Sequence, residues 1–246
     1  MHLLKKLYDK NKILFAVFWI AIYCVLMSAG DAISDAIGVQ KSVTLMIGAV
    51  LSFLLIAFLK NYGLFDSYGL CKPQASAKEM LFYLPAIILL SANLWFGIAV
   101  NLPAHEAVLY VLSMLCVGFL EEIIFRGLLF NAMKADNERA AVIVSSVTFG
   151  IGHIINLFNG SGAELIPSLL QIVYATAAGF MFVMIYKKSK SLISCILIHV
   201  IFNALSVFAN EASMTTQNRI ISCILLTVIT GGYAVYLSAS SQKKKR

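Results

Sequence analysis

Six side chains in this sequence have types and spacings suited to peptide-bond chemistry. Glu121 and Glu122 are adjacent in Leu120-Glu121-Glu122-Ile123-Ile124-Phe125-Arg126. Helix neighbours point about 100° apart, so the two carboxylates cannot share one role. Glu122 and Arg126 have the i, i+4 spacing of a helix pair, and pairing lowers the cost of burying either charge. Glu121 is left without a local partner, so another helix must supply one. Two histidines are candidates. His153 closes Phe149-Gly150-Ile151-Gly152-His153, and His199 opens His199-Val200-Ile201-Phe202-Asn203. The same i, i+4 spacing puts His199 and Asn203 on one helix face, and Phe149 and His153 on another.

Peptide hydrolysis requires an activated water and a stabiliser for the tetrahedral oxyanion. A carboxylate in apolar surroundings is a competent base near neutral pH. Imidazole and amide groups can hold the water or donate to the oxyanion. No serine or cysteine is needed. Ser145, Ser146, Ser194 and Cys195 lie near these helices without the motif context of an activated nucleophile. A metal version uses the same residues: Glu121, His153 and His199 would make a three-ligand zinc site with an open position. The sequence has no His-Glu-x-x-His, so no single helix supplies a ready ligand pair; the residues alone leave both versions open.

The elements that carry these residues are membrane spans. Of the 246 residues, 60% are apolar and only 13% charged, and mean hydropathy is +0.87. A typical soluble domain carries about 25% charged residues. This composition excludes a disordered chain, a coiled coil, a secreted disulfide scaffold and a soluble enzyme. A helix of roughly 20 apolar residues crosses a bilayer. Eight runs qualify or come close: 13–30, 43–59, 80–100, 108–133, 140–158, 165–186, 191–210 and 220–238. The expected fold is therefore all-α, a bundle of about eight transmembrane helices in one integral-membrane domain, 1–246, with a catalytic core of about 108–210.

Charge supports that count. Of the 19 basic residues, only Lys41 and Arg219 fall on one side of the alternating spans. The positive-inside rule then puts both termini in the cytoplasm of a cell membrane, most simply a bacterial plasma membrane. The basic balance is thus a topology signal, and no nucleic-acid partner is expected. Residues 61–77 form the longest connection, either on the membrane surface or as a plain loop. Pro85 is a tolerated early-helix proline. The five cysteines lack metal or disulfide-framework spacing. Asp31, Asp35, Glu106, Glu164 and Glu211 are assigned to outer loops, and Asn93 and Gln171 to interhelical hydrogen bonds. Gly150 and Gly152 offer close helix approach.

Depth brings the candidates together. At 1.5 Å per residue, Glu121 and His153 lie roughly 20 Å from the cytoplasmic edge, His199 about 12 Å and Asn203 about 18 Å. Ionisable residues inside spans are costly and mark functional sites.

Taken together, Glu121-Glu122-x-x-x-Arg126, Phe149-x-x-x-His153 and His199-x-x-x-Asn203 resemble the motifs of the CAAX-protease and bacteriocin-processing family, also called Abi, which includes the type II CAAX prenyl endopeptidases. The resemblance runs from about Leu120 to Asn203. It implies an eight-span intramembrane peptidase, glutamate-dependent and metal-free, so that no cofactor is favoured and zinc is the alternative. By position, Glu121 would activate water, His153 would help hold it, His199 and Asn203 would stabilise the oxyanion, and Glu122 and Arg126 would support them. The implied substrate is a membrane-embedded or lipidated peptide, met in the lipid bilayer, with roles in bacteriocin or signal-peptide processing or self-immunity. Two other classes use the same residues: a non-catalytic immunity or scaffold protein, and a proton-coupled transporter.

Overall fold

The computed structural model describes residues 1–75, 83–158 and 164–243. A short amphipathic helix, α1 (His2–Lys10), precedes α2 (Lys12–Ile37) and α3 (Ser42–Asn61). Then follow α4 (Leu84–Leu90), α5 (Ala104–Glu121), α6 (Glu138–Gly152), α7 (Leu165–Ser189), α8 (Ile193–Leu205) and α9 (Thr216–Lys243). Helical backbone continues from α5 to Met133, and the whole rod Ala104–Met133 is long and apolar enough to cross a membrane. Among the described residues no strand forms; the nearest thing is one isolated antiparallel bridge, Ile98 to Ala209.

Local signals set the helix ends. The Asn11 side chain accepts from Leu14 N–H at 2.9 Å to start α2, and Asn137 accepts from Ala140 N–H at 3.0 Å to start α6. Both satisfy first-turn donors that the helix itself leaves open. Gly38 ends α2 in the left-handed region at φ 78°, where glycine carries no Cβ penalty. Pro85 sits in the first turn of α4.

The protein is an all-α polytopic membrane protein. Among the described residues, six helices are long and apolar enough to span a bilayer: Lys12–Ile37, Ser42–Asn61, Ala104–Met133, Glu138–Leu157, Leu165–Ser189 and Thr216–Ser240. Their outward faces carry large apolar side chains such as Phe53, 70% exposed, and Val25 and Val228. Water would disfavour such a surface and lipid accommodates it. The remaining two expected segments are shorter. Ile193–Phe208 is a short apolar helix. The 80–100 run, of which residues 80–82 fall outside the described part, becomes α4, a 3-10 turn at Ala92–Leu94 and irregular chain.

These two short segments run side by side in the same direction. Tyr83 Oη donates to Ser194 Oγ at 3.1 Å and Asn93 Nδ2 to Phe202 O at 2.6 Å, in the same order along both segments; past them the chains meet antiparallel at the Ile98–Ala209 bridge. Side-chain amides and the bridge satisfy backbone that a full-length helix would have satisfied internally.

Residues 61–75 pack on the protein. Leu192 N donates to Gly69 O at 2.8 Å, Gln74 N to Ser189 O at 2.9 Å, and Ser191 Oγ to Cys71 O at 2.6 Å. Gly69 has φ 72°, and a Cβ there would lie 2.5 Å from the Tyr186 ring. Asp31 and Asp35 are corrected from outer loops to the last turns of α2, and Glu106 to the first turn of α5.

Candidate active site

Small residues bring the site helices into contact. A Cβ on Gly118 of α5 would lie 2.6 Å from Val200 Cγ2 and 3.0 Å from Val200 N on α8. One on Gly150 of α6 would lie 2.8 Å from Thr176 N on α7, and one on Gly179 of α7 would lie 2.9 Å from Ser146 Cα. Backbones this close leave no room for a methyl group. Gly152, expected to do the same, has open space around its Cα; it lines the cavity described below instead.

Immediately after Glu121 the backbone widens into a π-helix, Glu122–Phe130, all of it buried. π-helical turns are rare and concentrate at functional sites. Carbonyls in this stretch find side-chain donors. Ser145 Oγ donates to Phe125 O at 2.8 Å, and Asn131 Nδ2 donates to Gly127 O at 2.7 Å. Ser145 is thereby a backbone partner.

The two glutamates separate as their spacing requires. Glu122 turns inward and is fully buried with Arg126. Its Oε1 accepts from Arg126 Nη1 at 2.9 Å and lies 2.9 Å from His199 Nδ1. The guanidinium is sandwiched between rings, with Cζ 4.1 Å from the Phe149 centroid and 5.1 Å from that of Phe182. Cation–π contact of this kind is strongest where water is excluded. Phe182 also stacks on His199, at 5.5 Å and 19°.

Glu121 faces a cavity of about 310 Å³. His153, His199 and Asn203, carried by two other helices, line the same cavity. His199 Nε2 lies 3.5 Å from Glu121 Oε2. His153 occupies the first position of a 3-10 turn, His153–Leu157, where α6 ends. Its Nδ1 is 3.0 Å from Phe149 O, which leaves Nε2 unencumbered by that bond. Phe149 packs edge-on against both histidines, at 5.2 Å and 5.7 Å.

With an ionised Glu122, His199 Nδ1 must be the donor. Nε2 then carries a hydrogen only when the ring is an imidazolium. Among the described residues, no group of three His, Cys, Asp or Glu side chains is placed to hold a metal ion.

Sequence reasoning missed two contributors. Tyr23 of α2 donates its hydroxyl to Glu121 Oε1 at 2.6 Å, and Phe182 of α7 covers both Arg126 and His199. Neither carries a charge, so neither stands out in an apolar span. Asp31 and Lys41, 2.7 Å apart, also reach the cavity wall.

Residues 103–205, from just before α5 to the end of α8, match the model of the Rce1-like type II CAAX prenyl endopeptidases. Over this stretch the chain is similar to an Rce1-like domain. No curated protein is similar enough to the chain to count as a relative. The Rce1-like domain contains Glu121, His153, His199 and Asn203, and the supporting Glu122, Arg126 and Phe149. Its family is one of proteases, and the long apolar helices make the chain a membrane protein. Tyr23 lies outside the Rce1-like domain and reaches into it.

Proposed function

We propose that the protein is an intramembrane endopeptidase in which Glu121 activates a water molecule for attack on a peptide bond. The observation that carries this reading is the separation of the two adjacent carboxylates. Glu122 is spent on the buried Arg126 and on His199, while Glu121 faces the cavity with Oε2 toward His199. A base must reach the proton it removes, and Glu121 is the glutamate that opens on the cavity His153 and His199 also line.

In the proposed reaction, water bonded to Glu121 and to His153 Nε2 loses a proton to Glu121 as its oxygen attacks the carbonyl carbon. The oxyanion that forms is met by the Asn203 amide and by His199 Nε2–H in the imidazolium form. Glu121 then returns the proton to the departing amine. Glu122 fixes the His199 ring by holding Nδ1, as a second carboxylate orients a histidine in other hydrolytic sites. No metal takes part in this scheme. The substrate is a lipidated or membrane-inserted peptide, because the cavity is built among the spans. In a bacterial plasma membrane, a leader or bacteriocin-type precursor fits this better than a prenylated protein.

The test compares peptides in membranes carrying wild type and Glu121→Gln. Precursors that accumulate only with Glu121→Gln, at equal protein levels, support the reading. Identical peptide profiles contradict it and favour a non-catalytic role.

A further inference from the structure

We infer that Tyr23 is a positioning residue for the hydrolytic carboxylate, supplied by α2 from outside the Rce1-like domain. The inference rests on Glu121 being the base. Tyr23 Oη donates to Glu121 Oε1 at 2.6 Å, a short bond of the charge-assisted kind. The side chain is buried and lines the same cavity. The second oxygen, Oε2, is 3.5 Å from His199 Nε2, beyond a good hydrogen bond. One oxygen is therefore held and the other is open to water. A carboxylate tethered through Oε1 cannot rotate out of line with an incoming carbonyl. The scheme thus assigns tethering to Oε1 and water activation to Oε2.

Tyr23 is itself held by close packing. A Cβ on Gly30 of α2 would lie 3.0 Å from Thr44 Cα on α3, and one on Gly48 of α3 would lie 2.9 Å from Cys116 Cβ on α5. Helix α2 is thus pressed on α3, and α3 on α5. The hydroxyl is fixed relative to Glu121 by backbone contacts. Such support decides whether a site keeps its geometry to within about half an ångström. Ser34 and Thr44 add polar contacts between α2 and α3, with Val43 N donating to Ser34 Oγ at 3.0 Å.

Tyr23→Phe removes one oxygen and keeps the ring. Losing a hydrogen bond to a charged group should slow cleavage roughly 10- to 100-fold, read on the precursor peptides that accumulate with Glu121→Gln. A second readout needs no substrate. The infrared difference between purified wild type and Glu121→Gln isolates the Glu121 carboxylate band. The same difference taken in the Tyr23→Phe background should show that band displaced, with an unchanged melting temperature. A band that stays in place with Phe at position 23 overturns the inference. So does unchanged cleavage by Tyr23→Phe where Glu121→Gln abolishes it. If Glu121→Gln changes no peptide, the endopeptidase reading fails while the infrared comparison still decides whether Tyr23 holds the carboxylate.

Discussion

His199 Nδ1 and Glu122 Oε1 are 2.9 Å apart in a fully buried setting, and the same oxygen receives Arg126. The ion pair predicted to be structural therefore also holds a cavity-lining histidine. Breaking a buried pair by removing one partner costs about 3–5 kcal/mol. Arg126→Ala should lower the amount of folded protein in the membrane as well as activity. Arg126→Lys should not restore it, since an ammonium cannot lie flat between Phe149 and Phe182. Detergent melting curves and membrane yields check this; a normal melt for Arg126→Ala would show that the pair carries no stability.

Gly118 offers a different probe, because it touches Val200, the residue after His199. An added Cβ at 2.6 Å from Val200 Cγ2 and 3.0 Å from its backbone N must displace α8. Overpacking costs about 1–3 kcal/mol. Gly118→Ala should lose more activity than that loss of stability explains, because His199 moves with α8. Gly152→Ala, which meets open space, should melt like wild type. Equal behaviour of the two variants would contradict the packing account.

Topology is a third outcome to check. With eight alternating segments, reporters fused after Arg246 or inserted near Lys188 should score cytoplasmic, and one in the 38–41 turn should score external. A C-terminal reporter on the outer side would break the alternation that makes the third and seventh segments parallel.

Much of this architecture is legible in the residues. The long spans follow from apolar run length, and the opening of Glu121, His153, His199 and Asn203 onto one cavity agrees with their matched depth on three helices. The different surroundings of Glu121 and Glu122 follow from the 100° step between helix neighbours. Three features are not legible, each for a physical reason. The π-helix at Glu122–Phe130 depends on tertiary donors such as Ser145 and Asn131, which no local pattern reveals. The 80–100 run reads as one span by hydropathy, yet past α4 and a 3-10 turn its chain is tied to the 191–210 segment by the Asn93 bond to Phe202 O and by the Ile98–Ala209 bridge. Tyr23 is one of 10 tyrosines, and nothing in its own neighbourhood sets it apart until α2 is packed beside α5.

Asn203 separates the metal-free scheme from a zinc scheme. As one of two oxyanion donors, its loss should cost about 100- to 1000-fold in rate, with His153→Ala more severe and His199→Ala between them. A zinc site predicts equal loss for Glu121, His153 and His199 variants, with metal released from each. Rates and metal content measured on the same preparations distinguish the two.

The central claim is that Glu121 is the base, and Glu121→Gln tests it most directly. The substitution preserves size and keeps an oxygen for Tyr23 to bond, but cannot accept the water's proton. We expect wild-type yield and melting, full accumulation of uncleaved precursor peptides in the membrane, and no detectable turnover. Cleavage by Glu121→Gln at a rate within tenfold of wild type would contradict the account.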